Sequence, residues 1–134
     1  MGSGDTAMSE DPVVRTGGCR CRQVRYSVRG EPLRVGICHC TDCRQSSGSA
    51  FAFFAIWPIA AFTGEGQASS YNGRSFCPVC GSPVFSLSGD EAEIMVGSLD
   101  EAPSDQRPGY ELWTPRRETW LYALPWADQF AGDR

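Results

Sequence analysis

The seven cysteines of this chain fall into three short groups, Cys19-x-Cys21, Cys38-x-Cys40-x-x-Cys43 and Cys77-x-x-Cys80. No other feature limits the fold as strongly, because sulfurs at such spacings can be aimed at common points and so tie together the loops that carry them. The densest group is Cys38-His39-Cys40-Thr41-Asp42-Cys43. Three thiolates this close suit Zn²⁺, which takes N and S ligands in tetrahedral geometry. They leave a fourth position open, the mark of a working rather than a structural zinc. His39 could be offered as the fourth ligand. Adjacent side chains of an extended loop point to opposite sides, so the expectation is that His39 faces away while Cys38 and Cys40 face the metal. The competing reading is three reduced cysteines in a core.

Cys77-Pro78-Val79-Cys80-Gly81 has the form of a zinc knuckle, with Gly81 supplying the backbone freedom its turn needs. The knuckle lacks two ligands, and so does Cys19-x-Cys21. Joined, they make a closed Cys₄ site of the structural type, tying the start of the chain to its middle. The alternative pairs Cys77 and Cys80 with two sulfurs of the triad and leaves Cys19 and Cys21 spare. The first division uses every sulfur and is preferred. In a chain of 134 residues such a staple substitutes for core size.

Metal rather than disulfide is the expected use of these sulfurs if they stay reduced. The start, Met1 to Pro12, is polar and reads as a disordered leader, leaving residues 13–134 as one domain. It has neither the basic nor the apolar region of a signal peptide, and no apolar run is long enough to span a bilayer. The expectation is a cytoplasmic protein.

The net charge is −4 and every basic residue is arginine. Seven of the twelve arginines lie between Arg15 and Arg44, among only two acids, Glu31 and Asp42. This stretch reads either as a basic surface for an anionic ligand or as a solvated strand face. The acidic balance and the lack of a long basic stripe speak against bulk nucleic-acid binding.

The hydropathy pattern predicts mainly β structure. Gln23–Arg29 alternates with Val24, Tyr26 and Val28 on one face, and Leu33–Ile37 alternates again and leads into the triad. Across Gly30-Glu31-Pro32 these two read as a hairpin. Ala50–Trp57 is continuously apolar, as a buried strand would be. Phe62 to Gly73 is rich in turn formers, with Tyr71 as its expected anchor. Pro83–Leu87, Ala92–Leu99 and Tyr110–Trp113 read as further strands. Ser46-Ser47-Gly48-Ser49 reads as a polar loop, Trp120-Leu121-Tyr122 as a segment packed back on the core, and the end beyond Trp126 as loose. No stretch carries a sustained helical period capped at both ends.

Gly18-Cys19-x-Cys21, Gly30-Glu31-Pro32, Cys38-His39-Cys40-x-x-Cys43-Arg44, Ser47-Gly48-Ser49-x-Phe51 and Phe76-Cys77-x-x-Cys80-Gly81-Ser82 together resemble the glutathione-dependent formaldehyde-activating enzyme (GFA)/CENP-V family. The resemblance runs from about Gly17 to Trp120 and takes in all seven cysteines in order. It implies an Mss4-like fold of antiparallel sheets with zinc-stapled loops. It implies a structural zinc on Cys19, Cys21, Cys77 and Cys80, and a catalytic one on Cys38, Cys40 and Cys43. The activity it implies is condensation of glutathione with formaldehyde to S-(hydroxymethyl)glutathione, a carbon–sulfur lyase-type reaction.

The residues themselves allow that chemistry. Coordination deprotonates a thiol at neutral pH, and the thiolate can attack a carbonyl carbon. Arg44 could hold a carboxylate of a glutathione-like thiol bidentately, or form a surface salt bridge, for instance with Asp42. Ser47, Ser49 and Phe51 could line a cleft beside the metal. The rival from another class is a non-catalytic zinc-binding module, both metals structural, whose arginines contact a protein or polynucleotide.

Overall fold

The computed structural model describes residues 12–134, so the expected leader lies outside the described residues except for Pro12. The fold is mainly β, in an Mss4-like arrangement of two sheets. The smaller sheet is antiparallel, with β2 (Arg25–Arg29) between β1 (Val14–Gly18) and β5 (Phe62–Glu65).

The larger sheet has eight strands. At its centre β3 (Arg34–Cys38) pairs antiparallel with β4 (Ala52–Pro58), which pairs antiparallel with β9 (Glu91–Met95). The sheet continues from β9 through β8 (Pro83–Ser88) and β7 (Arg74–Phe76) to β6 (Ser69–Tyr71), each step antiparallel. On the other side of β3 lie β10 (Tyr110–Leu112) and β11 (Asp128–Gln129), and these two pairings are parallel. The sheet is therefore mixed at that end. No helix among the described residues is long and apolar enough to cross a membrane.

β4 explains its own composition. Phe53, Ala55 and Trp57 face a core shared with Val24, Tyr26, Val28, Phe85 and Ile94. Phe54 and Ile56 face a second core with Cys38, Tyr110 and the flanking Leu112 and Phe130. A strand covered on both sides needs apolar residues at every position, not at alternate ones.

Several expectations are corrected. β2 and β3 are not a hairpin: Gly30 and the residues after it carry the chain from one sheet to the other, and each strand finds different partners. The segment after Cys40 is not loop but a short helix, α1 (Thr41–Ser47). Seven residues are too few to show a period, yet both ends are capped. Cys40 Sγ accepts the Cys43 N–H at 3.3 Å, and Gly48, at φ 67°, donates its N–H to Arg44 O at 2.8 Å. The stretch from Phe62 to Gly73 supplies β5 and β6, and Tyr71 is 79% exposed, so it anchors nothing. Trp120 and Tyr122 are exposed too. What docks instead is the end of the chain: Ala127 is buried, Phe130 packs on the second core, and Phe130 N–H donates to Glu111 O at 2.9 Å.

Of the seven arginines between positions 15 and 44, four are paired with acids, while Arg20, Arg22 and Arg29 are exposed. Arg15 pairs with Asp105 and Glu31, Arg25 with Asp100, Arg34 with Glu91 and Arg44 with Glu118. All of these acids but Glu31 come from far along the chain, where sequence proximity does not reveal the pairing.

Candidate metal centres

The two-sheet fold sorts the seven sulfurs into two groups. Cys19 and Cys21, on the turn after β1, meet Cys77 and Cys80, on the turn between β7 and β8. All four Sγ atoms lie within 4.8 Å of one another. Cys38, Cys40 and Cys43 form the second group within the same limit. No sulfur is spare, which removes the alternative pairing of the knuckle with the triad.

The first group has the donor chemistry of a metal site. Backbone N–H groups point at its sulfurs: Val24 N to Cys19 Sγ at 3.2 Å and Val79 N to Cys77 Sγ at 3.4 Å. Gln23 Nε2 adds a third such bond, at 3.3 Å to Cys77 Sγ. These donors favour thiolate. Gly81, at φ 81°, closes the knuckle by donating its N–H to Cys77 O at 2.8 Å. Four thiols so crowded cannot all ionise without an offsetting cation. The Ser82 hydroxyl and N–H bring Cys80 down to about 5. Burial resists ionisation of Cys77, but the Cys80 N–H, the Gln23 side chain and the Val79 N–H outweigh it and lower its pKa. Cys21 goes the other way: the Gln23 N–H favours its thiolate, yet burial and the adjacent sulfurs push it up to about 11. A divalent cation bound by all four would remove that conflict.

The second group is built at the end of β3. Cys38 is the last residue of that strand, opposite Ala52 on β4 and Leu112 on β10. Cys40 caps α1 and Cys43 sits one turn in, so the helix start aims two sulfurs at the strand end. Hydrogen bonding with Cys38 and burial push the Cys43 thiol up, while Cys40 and Arg74 oppose the shift.

His39, between two of these cysteines, is not part of the sulfur group. Its ring is 2% exposed and its Nε2–H donates to Glu111 Oε1 at 2.8 Å. The ring packs edge-on against Phe51, centroids 5.8 Å apart. Glu111 Oε2 accepts from Leu124 N at 2.8 Å and Gln129 Nε2 at 3.0 Å, and Arg117 lies 3.4 Å from Oε1. Burial alone would raise the Glu111 carboxyl, but these donors and the arginine hold it down at about 2.

Of the other residues singled out in the sequence, Arg44 finds its side-chain partners elsewhere than at the sulfurs. It pairs with Glu118 at 2.5 Å, not with Asp42, and donates to Arg116 O at 3.2 Å. With Ser49, Thr41, Arg116 and Arg117 it lines a polar cavity of about 570 Å³. Ser47 Oγ donates to Cys43 O at 2.7 Å and accepts the Ser49 N–H at 3.2 Å. Phe51, Ser47 and Ser49 also border a cavity of about 630 Å³ that reaches Cys19 and Ser82, beside the Cys₄ group. A third cavity, of about 380 Å³, opens beside Cys43 and contains Arg74 and Glu93. Sequence reasoning missed Glu111, Arg74 and Glu118. Glu111 carried a signal, a lone acid inside an apolar strand; the other two carried none.

The model of one family, glutathione-dependent formaldehyde-activating enzyme, matches residues 14–116. The chain belongs to that family. The matched span holds both sulfur groups and the strands that position them, while Leu124 and Gln129, which support Glu111, lie beyond it. No curated protein matches significantly. Among solved structures, a crystal structure of a Rhodobacter sphaeroides protein is similar at 19% identity and a TM-score of 0.52, over 69% of this chain and 97% of that one. At that identity the likeness is one of fold. Membership in the formaldehyde-activating family, with two cysteine clusters able to bind metal, is the level at which sequence and structure agree.

Proposed function

We propose that this chain is a zinc-dependent carbon–sulfur lyase-type enzyme that joins a glutathione-like thiol to a small aldehyde, in the manner of an S-(hydroxymethyl)glutathione synthase. One observation carries the reading: Cys38, Cys40 and Cys43 converge as three ligands, and the only imidazole in reach is committed to Glu111. A tetrahedral ion there would keep one position for a substrate. Cys19, Cys21, Cys77 and Cys80 would hold the second, structural zinc.

Bound at the triad, zinc would supply a Lewis-acidic position where a thiol sits as thiolate. The chain's own residues do the rest. The Glu111–His39 pair and the β10 backbone fix the loop between Cys38 and Cys40. Ser47 ties the end of α1 to Cys43 O and Ser49. Arg44 would take a carboxylate of the thiol in place of Glu118, since a guanidinium binds either one bidentately. Phe51 closes the side nearest His39. We take residues 13–134 as one such zinc domain, working in the cytoplasm, where thiols stay reduced.

The test is exchange NMR on an equilibrium mixture of ¹³C-formaldehyde and glutathione, with metal content measured in parallel. The zinc-loaded protein is expected to accelerate exchange between free and thiol-bound carbon, and Cys40→Ser to lose both the acceleration and one equivalent of zinc. No acceleration by a protein carrying its full zinc complement overturns the reading.

A further inference from the structure

The cavity beside Cys43 is unlike the others. It holds about 380 Å³ between the end of α1 and the β6–β7 hairpin, over the floor made by β8 and β9. Tyr71, Phe76, Pro83, Phe85 and Met95 line it, and its charged residues are Arg74 and Glu93. The exposed ring of Tyr71 belongs to its wall, which gives that side chain a use that packing does not. A cavity this size is in the range of small-molecule sites, ~300–1,000 Å³. Formaldehyde has no apolar group to place in it, and the polar glutathione backbone is a poor match for its walls.

We propose that this cleft binds the hydrocarbon group of an aldehyde substrate larger than formaldehyde, aromatic or medium-chain, with the carbonyl directed toward Arg74 and Cys43. This rests on the reading of the cysteine triad as the reactive centre. The step is an addition. The thiol loses its proton, its sulfur forms a C–S bond to the carbonyl carbon, and the C=O π pair moves to oxygen. That oxygen then takes up a proton, giving a hemithioacetal with nothing oxidised or reduced. Arg74 is placed to donate to the oxygen as its charge develops, the moment when such a donor acts most strongly. The apolar wall contributes by excluding water from the bound group.

The cleft and the reaction can be tested apart. Benzyl alcohol, an unreactive probe, is titrated into zinc-loaded, ¹⁵N-labelled protein. Saturable shifts at Tyr71, Ser75, Phe76, Phe85 and Met95 are expected, and Ser86→Phe, which fills the cleft from β8, should abolish them. Shifts that are absent, or scattered away from these residues, overturn the proposal whatever the protein catalyses. With glutathione as the thiol, Ser86→Phe should lower kcat/KM for benzaldehyde by about tenfold or more relative to that for formaldehyde, the discrimination an apolar pocket can supply. An equal effect of Ser86→Phe on the two aldehydes also overturns it. Localised benzyl alcohol binding in a protein inert toward every aldehyde keeps the cleft and removes the reaction proposed at the triad.

Discussion

His39 Nε2 and Glu111 Oε1 lie 2.8 Å apart with both side chains buried, joining the loop between Cys38 and Cys40 to a strand more than seventy residues later in the chain. The carboxylate is satisfied on every side, by the imidazole, an arginine, an amide side chain and a backbone N–H. Glu111→Gln should therefore destabilise the protein at neutral pH by about 1.5–3 kcal/mol, the range for a hydrogen bond to a charged group. The pH dependence has a definite sign. The folded carboxyl titrates at about 2, below its ordinary 4.5, so its contribution is complete above 4.5 and disappears as pH falls toward 2. Urea melts across that window should show wild type converging on the variant. Parallel stability curves would remove this account.

Cys77→Ser and Cys19→Ser should each unfold the domain or make it aggregate. The Cys₄ group ties β1 to the β7–β8 turn, and its metal free energy would be folding free energy. Apparent structural-zinc values of ~10–16 kcal/mol exceed or match a whole domain's stability of ~5–15 kcal/mol. Circular dichroism and thermal melts decide the matter: native-like melts with zinc missing from this group would contradict it.

Cys40→Ser should behave differently. Its sulfur caps α1, and serine is itself a preferred N-cap, so the helix start survives the change. The triad is also local in sequence and releases no long-range tie. We expect a melting temperature within a few degrees of wild type (about 1 kcal/mol or less), with one zinc equivalent lost. Destabilisation equal to that of Cys77→Ser would mean that both centres are structural.

Arg44 and Glu118 are each about one-third exposed, so their pairing should contribute little to stability, roughly 0–1 kcal/mol. Arg44→Ala should scarcely move the melting temperature. It should weaken glutathione at the cobalt- or zinc-loaded triad by about 1.5–3 kcal/mol and leave β-mercaptoethanol, which has no carboxylate, unchanged. Glu118→Gln should tighten glutathione by freeing the guanidinium. Calorimetric titration with both thiols tests the set, and equal weakening of the two by Arg44→Ala would exclude a carboxylate contact.

Which parts of this were readable in the residues follows from how local each signal is. The triad, the knuckle and the two-sided burial of β4 are written in contiguous stretches, and they were legible. The division of the sulfurs was legible too, because, of the two divisions weighed, only one leaves no sulfur unused. The partners of β2 and β3 were not: a turn at Gly30 is compatible with a hairpin or with a change of sheet, and the choice is made by β1 and β5, which compete for β2. α1 is too short to show a period and is defined by its caps. The supposedly loose end docks because Phe130 and Gln129 find Tyr110 and Glu111, contacts with no local trace. Arg74 carried no signal either, because the β6–β7 hairpin is what brings it to the cavity beside Cys43.

Strand β4 gives the molecule a division of labour. Its odd positions, Phe53, Ala55 and Trp57, pack in the core that includes Cys19 and Cys77, and its even ones, Phe54 and Ile56, pack in the core that includes Cys38. Neighbouring residues on one backbone thus belong to different halves of the protein. A change at an even position is therefore felt first around Cys38, and a change at an odd one around Cys19 and Cys77.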